Sequence, residues 1–206
     1  MQEQLFIMED LKTTQIKNYI ATAREFCNYI EKTGSARPVE LLTAMQNLLA
    51  NVYAQTALIK KPKYCYEEEP QKFVHENEYA AVHDKLQSII EKFDGSYSIK
   101  MKNKTMGMDI LSFSLAESIT DIYKELKDCY RLYEIGLSQP MNDAIWSCRD
   151  SFEKYWGLQL IETLQSIHQL LFGHQLTSNQ LRFDNINDES DENWFSEEDD
   201  ITYDEE

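Results

Sequence analysis

The sequence predicts an all-α fold, an antiparallel bundle of five main helices. Apolar residues recur every three or four positions through five long segments, which is the period of a helix with one buried side. Only six Gly and four Pro are present, whereas a sandwich of short strands needs many turns. The last segment, Ser138–Gly173, is long enough for a helix of about 50 Å. We expect the other helices to line up along it.

This fifth helix has clear start and stop signals. Ser138 can cap its start, Pro140 suits its first turn, and Gly173 suits its end. Its apolar positions form one stripe: Ile145, Cys148, Phe152, Trp156, Leu160, Ile167 and Leu170. The prediction requires Phe152, Leu160 and Ile167 to be buried.

The first two helices are predicted as antiparallel neighbours. The first runs from about Glu9 to Lys32 and is stopped by Gly34. The second begins near Pro38, a residue that suits a first turn, and extends to about Ile59. Because so few residues join them, the two helices must pack side by side.

A loop with two prolines, Lys60–Gln71, precedes the third helix, which is predicted over about Asn77–Phe93. The connection Ser96–Phe113 follows. Its alternation at Tyr97 and Ile99 is too brief to predict a strand, and a segment of this length can cross the whole bundle.

The fourth helix begins with a capping box, in which Ser114 and Glu117 each satisfy a free backbone N–H. Gly136 ends it, and a short join leads into the fifth helix, so these two should form a second antiparallel hairpin.

The net charge of −16 is unevenly distributed. Twelve acidic residues and no basic residue lie in Asp184–Glu206, which leaves −4 for residues 1–183. We predict a helical domain over 1–183 and a disordered acidic tail over 184–206. The tail either aids solubility or docks on a basic, apolar groove through its interspersed aromatic residues. The overall charge argues against nucleic-acid binding.

Motifs of catalysis and metal binding are missing from the sequence. It contains no Glu-x-x-His, HExxH, CxxC, phosphate-binding glycine loop or GxSxG, so we expect no metal, cofactor or catalytic residue. Cys27, Cys129 and Cys148 fall on apolar stripes, where reduced thiols behave as small apolar residues. The amino end lacks a signal peptide core and no segment is long enough to span a membrane, so we expect a cytoplasmic protein.

Polar and aromatic side chains crowd one part of the predicted hairpin, and they give the candidate site: Asp121, Trp146, Arg149 and Trp156. Arg149 could reach Asp121 or Glu125 and form a partly buried ion pair that stabilises the hairpin. Alternatively, Arg149 lines a small pocket that recognises an anionic group. Gly157, inside a long helix, suggests the close approach of another helix.

Two segments, SLAESITDIYKELKDCYRLYEIG and MNDAIWSCRDSFEKYWGLQLIETLQSIHQLLFG, resemble the bacterial family called domain of unknown function 5063, found mainly in Bacteroidetes. The resemblance covers about Gln4–Gly173 and leaves out the acidic tail. Its most distinctive pieces are Asp121-Ile-Tyr, Met141-Asn-Asp-Ala-Ile-Trp and Tyr155-Trp-Gly. It implies an all-helical intracellular protein with no established activity.

The leading functional hypothesis from the sequence is a non-enzymatic, cytoplasmic protein-interaction module, with the acidic tail as one possible contact to a protein partner. One alternative is an enzyme or small-molecule-binding protein with a site between the fourth and fifth helices. Another is an acidic mimic of nucleic acid that occupies a basic protein. The oligomeric state is not predicted.

Overall fold

The structure, a computed structural model, describes residues 11–34, 36–63, 70–91, 97–101, 108–112 and 114–173. All of these residues belong to one compact unit, Met1–Gln175. The second unit, Leu176–Glu206, contains none of them. The predicted tail, its disorder and its boundary at residue 184 therefore lie outside the described residues.

The all-α prediction is confirmed, and each of the five predicted helices is present. The helices are α1 (Thr14–Lys32), α2 (Pro38–Ala57), α3 (Glu76–Ile90), α4 (Leu115–Glu134), α5 (Ser138–Ser151) and α6 (Gly157–Phe172). A π-helical turn, Phe152–Trp156, joins α5 to α6 without a break, so the predicted fifth helix is one rod of 35 residues. None of the helices described here combines the length and apolar character needed to cross a lipid bilayer.

The connection between α3 and α4 contains a small antiparallel ribbon that the sequence did not predict. Its strands are β1 (Tyr97–Met101) and β2 (Met108–Ser112), with Tyr97 paired to Ser112 and Met101 to Met108. A strand of five residues shows little alternation by itself, and pairing with the partner strand stabilises it.

The core is centred on α4 and not on the last helix. α4 packs against α1, α3, α5 and α6, and more than half of its residues are buried. Some of these are polar: Thr120 is fully buried, and its hydroxyl donates to the Ala116 carbonyl at 2.7 Å within the same helix. Polar residues whose hydrogen bonds are made within their own helix can be buried. The apolar period alone therefore underestimates how much of α4 is buried.

The last helix buries the stripe that was predicted. Phe152, Leu160 and Ile167 are at most 8% exposed. α5 packs against α4, and α6 packs against α2 and α4. α1 also packs against α2, so both predicted hairpins are present.

Local signals set most helix ends. The Ser114 hydroxyl accepts from the Glu117 backbone N–H at 3.1 Å, as the capping box predicted. Gly136 ends α4 with a φ of 79°, a left-handed conformation that favours glycine. The prediction for Ser138 was wrong, because Leu137 is the N-cap of α5 and Ser138 is already helical.

Candidate functional site

Asp121, one of the four predicted site residues, lies where α3, α4 and α6 meet. Its carboxylate accepts from the Tyr79 hydroxyl at 2.7 Å and from the Gln159 amide at 2.9 Å. Burial and, next, the hydrogen bond to Asp121 raise the pKa of Tyr79 above its ordinary value. Asp121 thus joins three helices through neutral donors.

Arg149 lies at a different junction, between the end of α2 and the last helix. Its Nε donates to the Ile59 carbonyl at 3.1 Å, and Nη2 is 3.2 Å from the Glu153 carboxylate. Its guanidinium carbon stands 5.1 Å from the centre of the Phe152 ring. Neither Asp121 nor Glu125 is among its partners in the described part of the chain.

Trp146 belongs to the same junction as Arg149. The Lys61 ammonium is 5.0 Å from the centre of the Trp146 ring, and it also pairs with Asp150 and Glu153. This cluster attaches the segment after α2 to α5. Arg149 does form an ion pair, but with Glu153 of its own helix and not with the predicted Asp121 or Glu125 across the hairpin.

Trp156 is a core residue. It is 1% exposed, its indole N–H donates to the Cys148 carbonyl at 3.3 Å, and its ring meets the Phe152 ring edge-on at 4.7 Å. Arg149 and Trp156 both pack against the Phe152 ring, whereas Asp121 binds Tyr79 and Gln159 instead. The contacts of the four predicted site residues therefore do not converge on one site.

The π-helical turn explains Gly157. A side chain added there would place its Cβ 2.5 Å from the Phe152 carbonyl oxygen and 3.0 Å from the Phe152 ring. The close neighbour of Gly157 is thus an earlier turn of its own helix. The sequence had suggested the close approach of another helix, and that prediction was wrong.

A signal for this turn was present in the sequence. Cys148, Phe152, Trp156 and Leu160 are all buried and follow one another at intervals of four. In a regular α-helix each such interval rotates the side chain by about 40° away from the stripe. One wider turn corrects this drift and returns Leu160 to the core.

A charged network that the sequence analysis missed joins α1, α3 and α4. Lys127 Nζ contacts the carboxylates of Glu31 and Glu78, and lies 2.8 Å from the Tyr123 hydroxyl. That hydroxyl donates to Glu78 at 2.8 Å. Burial lowers the pKa of Lys127, but the hydrogen bonds to both carboxylates outweigh it, so this pKa is raised. The two carboxylates that Lys127 contacts lie 96 and 49 positions away in the sequence, so no local motif indicates these contacts.

A surface with few charged residues is formed by α2 and α6. Each helix has a single charged residue, Glu40 in α2 and Glu162 in α6. The helices run side by side, with Gln46 3.5 Å from His168 and the Tyr53 ring 5.3 Å from the Phe152 ring. We define the α2/α6 face by six exposed residues: Ala50, Ala54, Ala57, Leu158, Ile161 and Phe172.

The apolar members of this face are strongly exposed. Leu158 is 60% exposed, Ile161 44% and Phe172 62%, and Tyr155 beside them is 71% exposed. In the described residues no group of three or more His, Cys, Asp and Glu side chains is arranged to hold a metal ion. Exposed apolar area, and not converging chemistry, is therefore the most distinctive property of this surface.

Comparison with known proteins identifies the family of this chain. The model of the family described as Domain of unknown function (DUF5063) matches residues 11–173, which span α1 to the end of α6. The chain belongs to this family. The match confirms the resemblance seen in the sequence, and this family description includes no activity. No curated protein matches the chain.

One protein of known crystal structure has a similar fold. The crystal structure of protein BF1032 from Bacteroides fragilis is similar, with a TM-score of 0.69 and 23% sequence identity. The similarity covers 79% of this chain and 99% of that protein. At this sequence identity, the similarity shows only that the two chains share a helical fold.

Proposed function

We propose that this chain is a non-enzymatic protein-interaction module that binds its partner through the α2/α6 face. One observation carries the proposal: the fully exposed residues of α6 are all uncharged, and its one charged residue, Glu162, is only partly exposed. The exposed residues are Leu158, Ile161, Gln165, His168, Gln169 and Phe172, with histidine counted as neutral. Three of them are large and apolar, and a cluster of such residues on a surface helix marks an interaction site.

The contrast with α1 supports this reading. The exposed residues of α1 include five charged ones, Lys17, Arg24, Glu25, Glu31 and Lys32. Depletion of charge together with exposed large apolar side chains marks the centre of protein–protein interfaces. Contiguous apolar patches on otherwise polar proteins mark interaction sites.

The shape of the face indicates the kind of partner. Two helices packed side by side leave a shallow groove between their exposed ridges, and such grooves bind amphipathic helices by their apolar side. We therefore propose a partner that presents an uncharged, apolar helical surface. Leu158 and Ile161, three positions apart on one side of α6, are the expected central contacts.

The alternatives from the sequence have less support. A small-molecule site around Asp121 and Arg149 needs the two side chains to converge, and they serve different junctions. Docking through residues 184–206 remains a second route to a partner. We also propose a cytoplasmic location, which agrees with the unpaired thiols of Cys27, Cys129 and Cys148.

A matched pair of substitutions tests the proposal. Ala54→Glu places a charge on the α2/α6 face, and Ala21→Glu places the same charge on an exposed position of α1. A photoreactive amino acid at Leu158, in the cells of origin, identifies the contacting protein, which is then purified. Binding to the full chain is measured by calorimetry for wild type and both variants.

We expect the cross-linked protein to bind wild type and Ala21→Glu equally, and Ala54→Glu at least tenfold more weakly. A cross-link to a second copy of the chain identifies self-association as the interaction. Equal binding by both variants, or no cross-link from Leu158, contradicts the proposal. A chain that ends at residue 183 separates the routes, because loss of binding on this deletion alone points to the tail.

A further inference from the structure

Two thiols and a phenol meet in the interior between α1, α4 and α5. Cys129 of α4 and Cys148 of α5 are each 4% exposed, and neither is in a disulfide. The hydroxyl of Tyr19, from α1, is 2.7 Å from the Cys148 sulfur and 3.6 Å from the Cys129 sulfur. Side chains from three helices thus bring two thiols and one hydroxyl close together.

A narrow cleft leads to these thiols from the surface. Cys129 and Cys148 lie in its wall, together with Lys72, Glu125, Asp128 and Ser147. Its volume of about 20 Å³ is close to the space that one water molecule needs. The cleft therefore admits a single ion and is too small for a metabolite.

The chemistry and placement of the two sulfur atoms suit a soft cation. The Cys129 thiol donates to the Ala144 carbonyl at 3.4 Å, and both sulfur atoms lie near the same Tyr19 hydroxyl. Thiolates are soft ligands and bind soft cations selectively. One such ion in the cleft could replace both thiol protons, and the Cys129 hydrogen bond to Ala144 would then be lost.

We propose that Cys129 and Cys148 form a two-thiolate binding site for a soft d¹⁰ metal ion of the Cu⁺ class, with Tyr19 as hydrogen-bond donor to a sulfur. Thiolate ligands select Cu⁺, whereas Zn²⁺ is almost always held by four ligands in structural sites. On binding, each thiol releases one proton to solvent and forms one Cu–S bond. No electron is transferred, and the loaded site carries one net negative charge.

Competition for Cu⁺ tests the site. The full chain carries Cys65→Ser, which removes the one cysteine outside the described residues and keeps Cys27, and it is titrated without oxygen against the chelator bathocuproine disulfonate. We expect one Cu⁺ per chain. Cys129→Ala and Cys148→Ala should each weaken binding at least 100-fold. Cys27→Ala is the matched control, because Cys27 is also buried but is not part of the cleft wall. This control should bind like the parent.

Two further measurements keep the test independent of folding. Tyr19→Phe retains both thiols and the buried ring, and it should weaken Cu⁺ binding about tenfold, the effect of one lost hydrogen bond. X-ray absorption of the loaded parent should show two sulfur ligands. Failure of the parent to take Cu⁺ from the chelator, undiminished binding by Cys148→Ala, or fewer than two sulfur ligands would overturn the proposal.

Discussion

At Gly157, the absence of a side chain allows the last helix to make its π-helical turn. Alanine normally stabilises a helix interior relative to glycine by about 1 kcal/mol. Here a Cβ would lie 2.5 Å from the Phe152 carbonyl oxygen. This steric clash outweighs the usual stabilisation by alanine. We predict that Gly157→Ala lowers the free energy of unfolding by about 1–3 kcal/mol, the usual cost of overpacking, as measured by urea denaturation.

Gly34 supplies the control for that prediction. A Cβ added there meets nothing within 4 Å, so Gly34→Ala should change stability by less than about 0.5 kcal/mol. Equal effects of the two substitutions would show that the close approach at Phe152 does not constrain residue 157.

Arg149 stabilises the junction between α2 and α5. The side chain is 17% exposed and bonds to the Ile59 carbonyl and Glu153, while its Nη1 is buried without a hydrogen-bond partner in the described residues. We predict that Arg149→Ala lowers the free energy of unfolding by about 1–3 kcal/mol, mainly through the lost packing and the unpaired carbonyl. Arg131→Ala, at a position 52% exposed, should cost less than about 1 kcal/mol. An unchanged melting temperature for Arg149→Ala would instead favour a binding role.

At the scale of elements, Asp128 fixes the start of α3 against α4. Its carboxylate accepts from the backbone N–H groups of Phe73 at 2.6 Å and Val74 at 2.9 Å, and the residue is 7% exposed. We predict that Asp128→Ala leaves two buried donors unsatisfied and costs about 2–4 kcal/mol. Amide hydrogen exchange should accelerate at Phe73 and Val74, in the loop before α3, before it accelerates in α4. Uniform acceleration across α4 would show that Asp128 supports the helix and not the loop.

The network around Lys127 makes the association of α1, α3 and α4 depend on pH. Burial raises the pKa of Glu78, but the hydrogen bonds from Lys127 and Tyr123 outweigh it, so this pKa is below its ordinary value. A lowered carboxylate pKa contributes stability that is fully present above the unfolded pKa of about 4.3. This contribution is lost as the pH falls through the folded value.

Comparison of Glu78→Gln with wild type measures this contribution. At pH 7 the variant should be less stable by about 0.5–1 kcal/mol, a modest value because the Glu78 side chain is 36% exposed. The difference should shrink between about pH 5 and pH 3, as the wild-type carboxylate takes up its proton. A difference that stays constant over this range would mean that charge is not its origin.

At the scale of the whole molecule, most of the net charge and the uncharged helices belong to different parts of the sequence. The chain carries −16, with −12 in residues 184–206, whereas α2 and α6 contain one charged residue each. We predict that partner binding through the α2/α6 face changes less than about threefold between about 0.05 and 0.5 M NaCl, because apolar burial is not screened. Binding through the tail should weaken by more than tenfold over the same range. Calorimetric titration at both salt concentrations distinguishes the two routes.

Much of the fold was predictable because its information is local. The stripe in α5 and α6, the Ser114 capping box and the short joins each depend on residues within a few turns of one another. The π-helical turn was also encoded locally, in three successive intervals of four. The ribbon of β1 and β2 was not, since each strand needs the other.

The candidate site was predicted much less well, because a site is made of distant residues. Asp121 and Arg149 looked adjacent on paired helices, yet the rotation of those helices directs them to different neighbours, Gln159 and Ile59. The sequence by itself determined the central apolar stripe of each helix, because the period of apolar residues fixes that stripe. Only the tertiary structure decided that α4 lies at the centre, that Tyr19 meets Cys129 and Cys148, and that Leu158, Ile161 and Phe172 are exposed. Those outcomes depend on the angle and depth at which whole helices pack, which no single segment specifies.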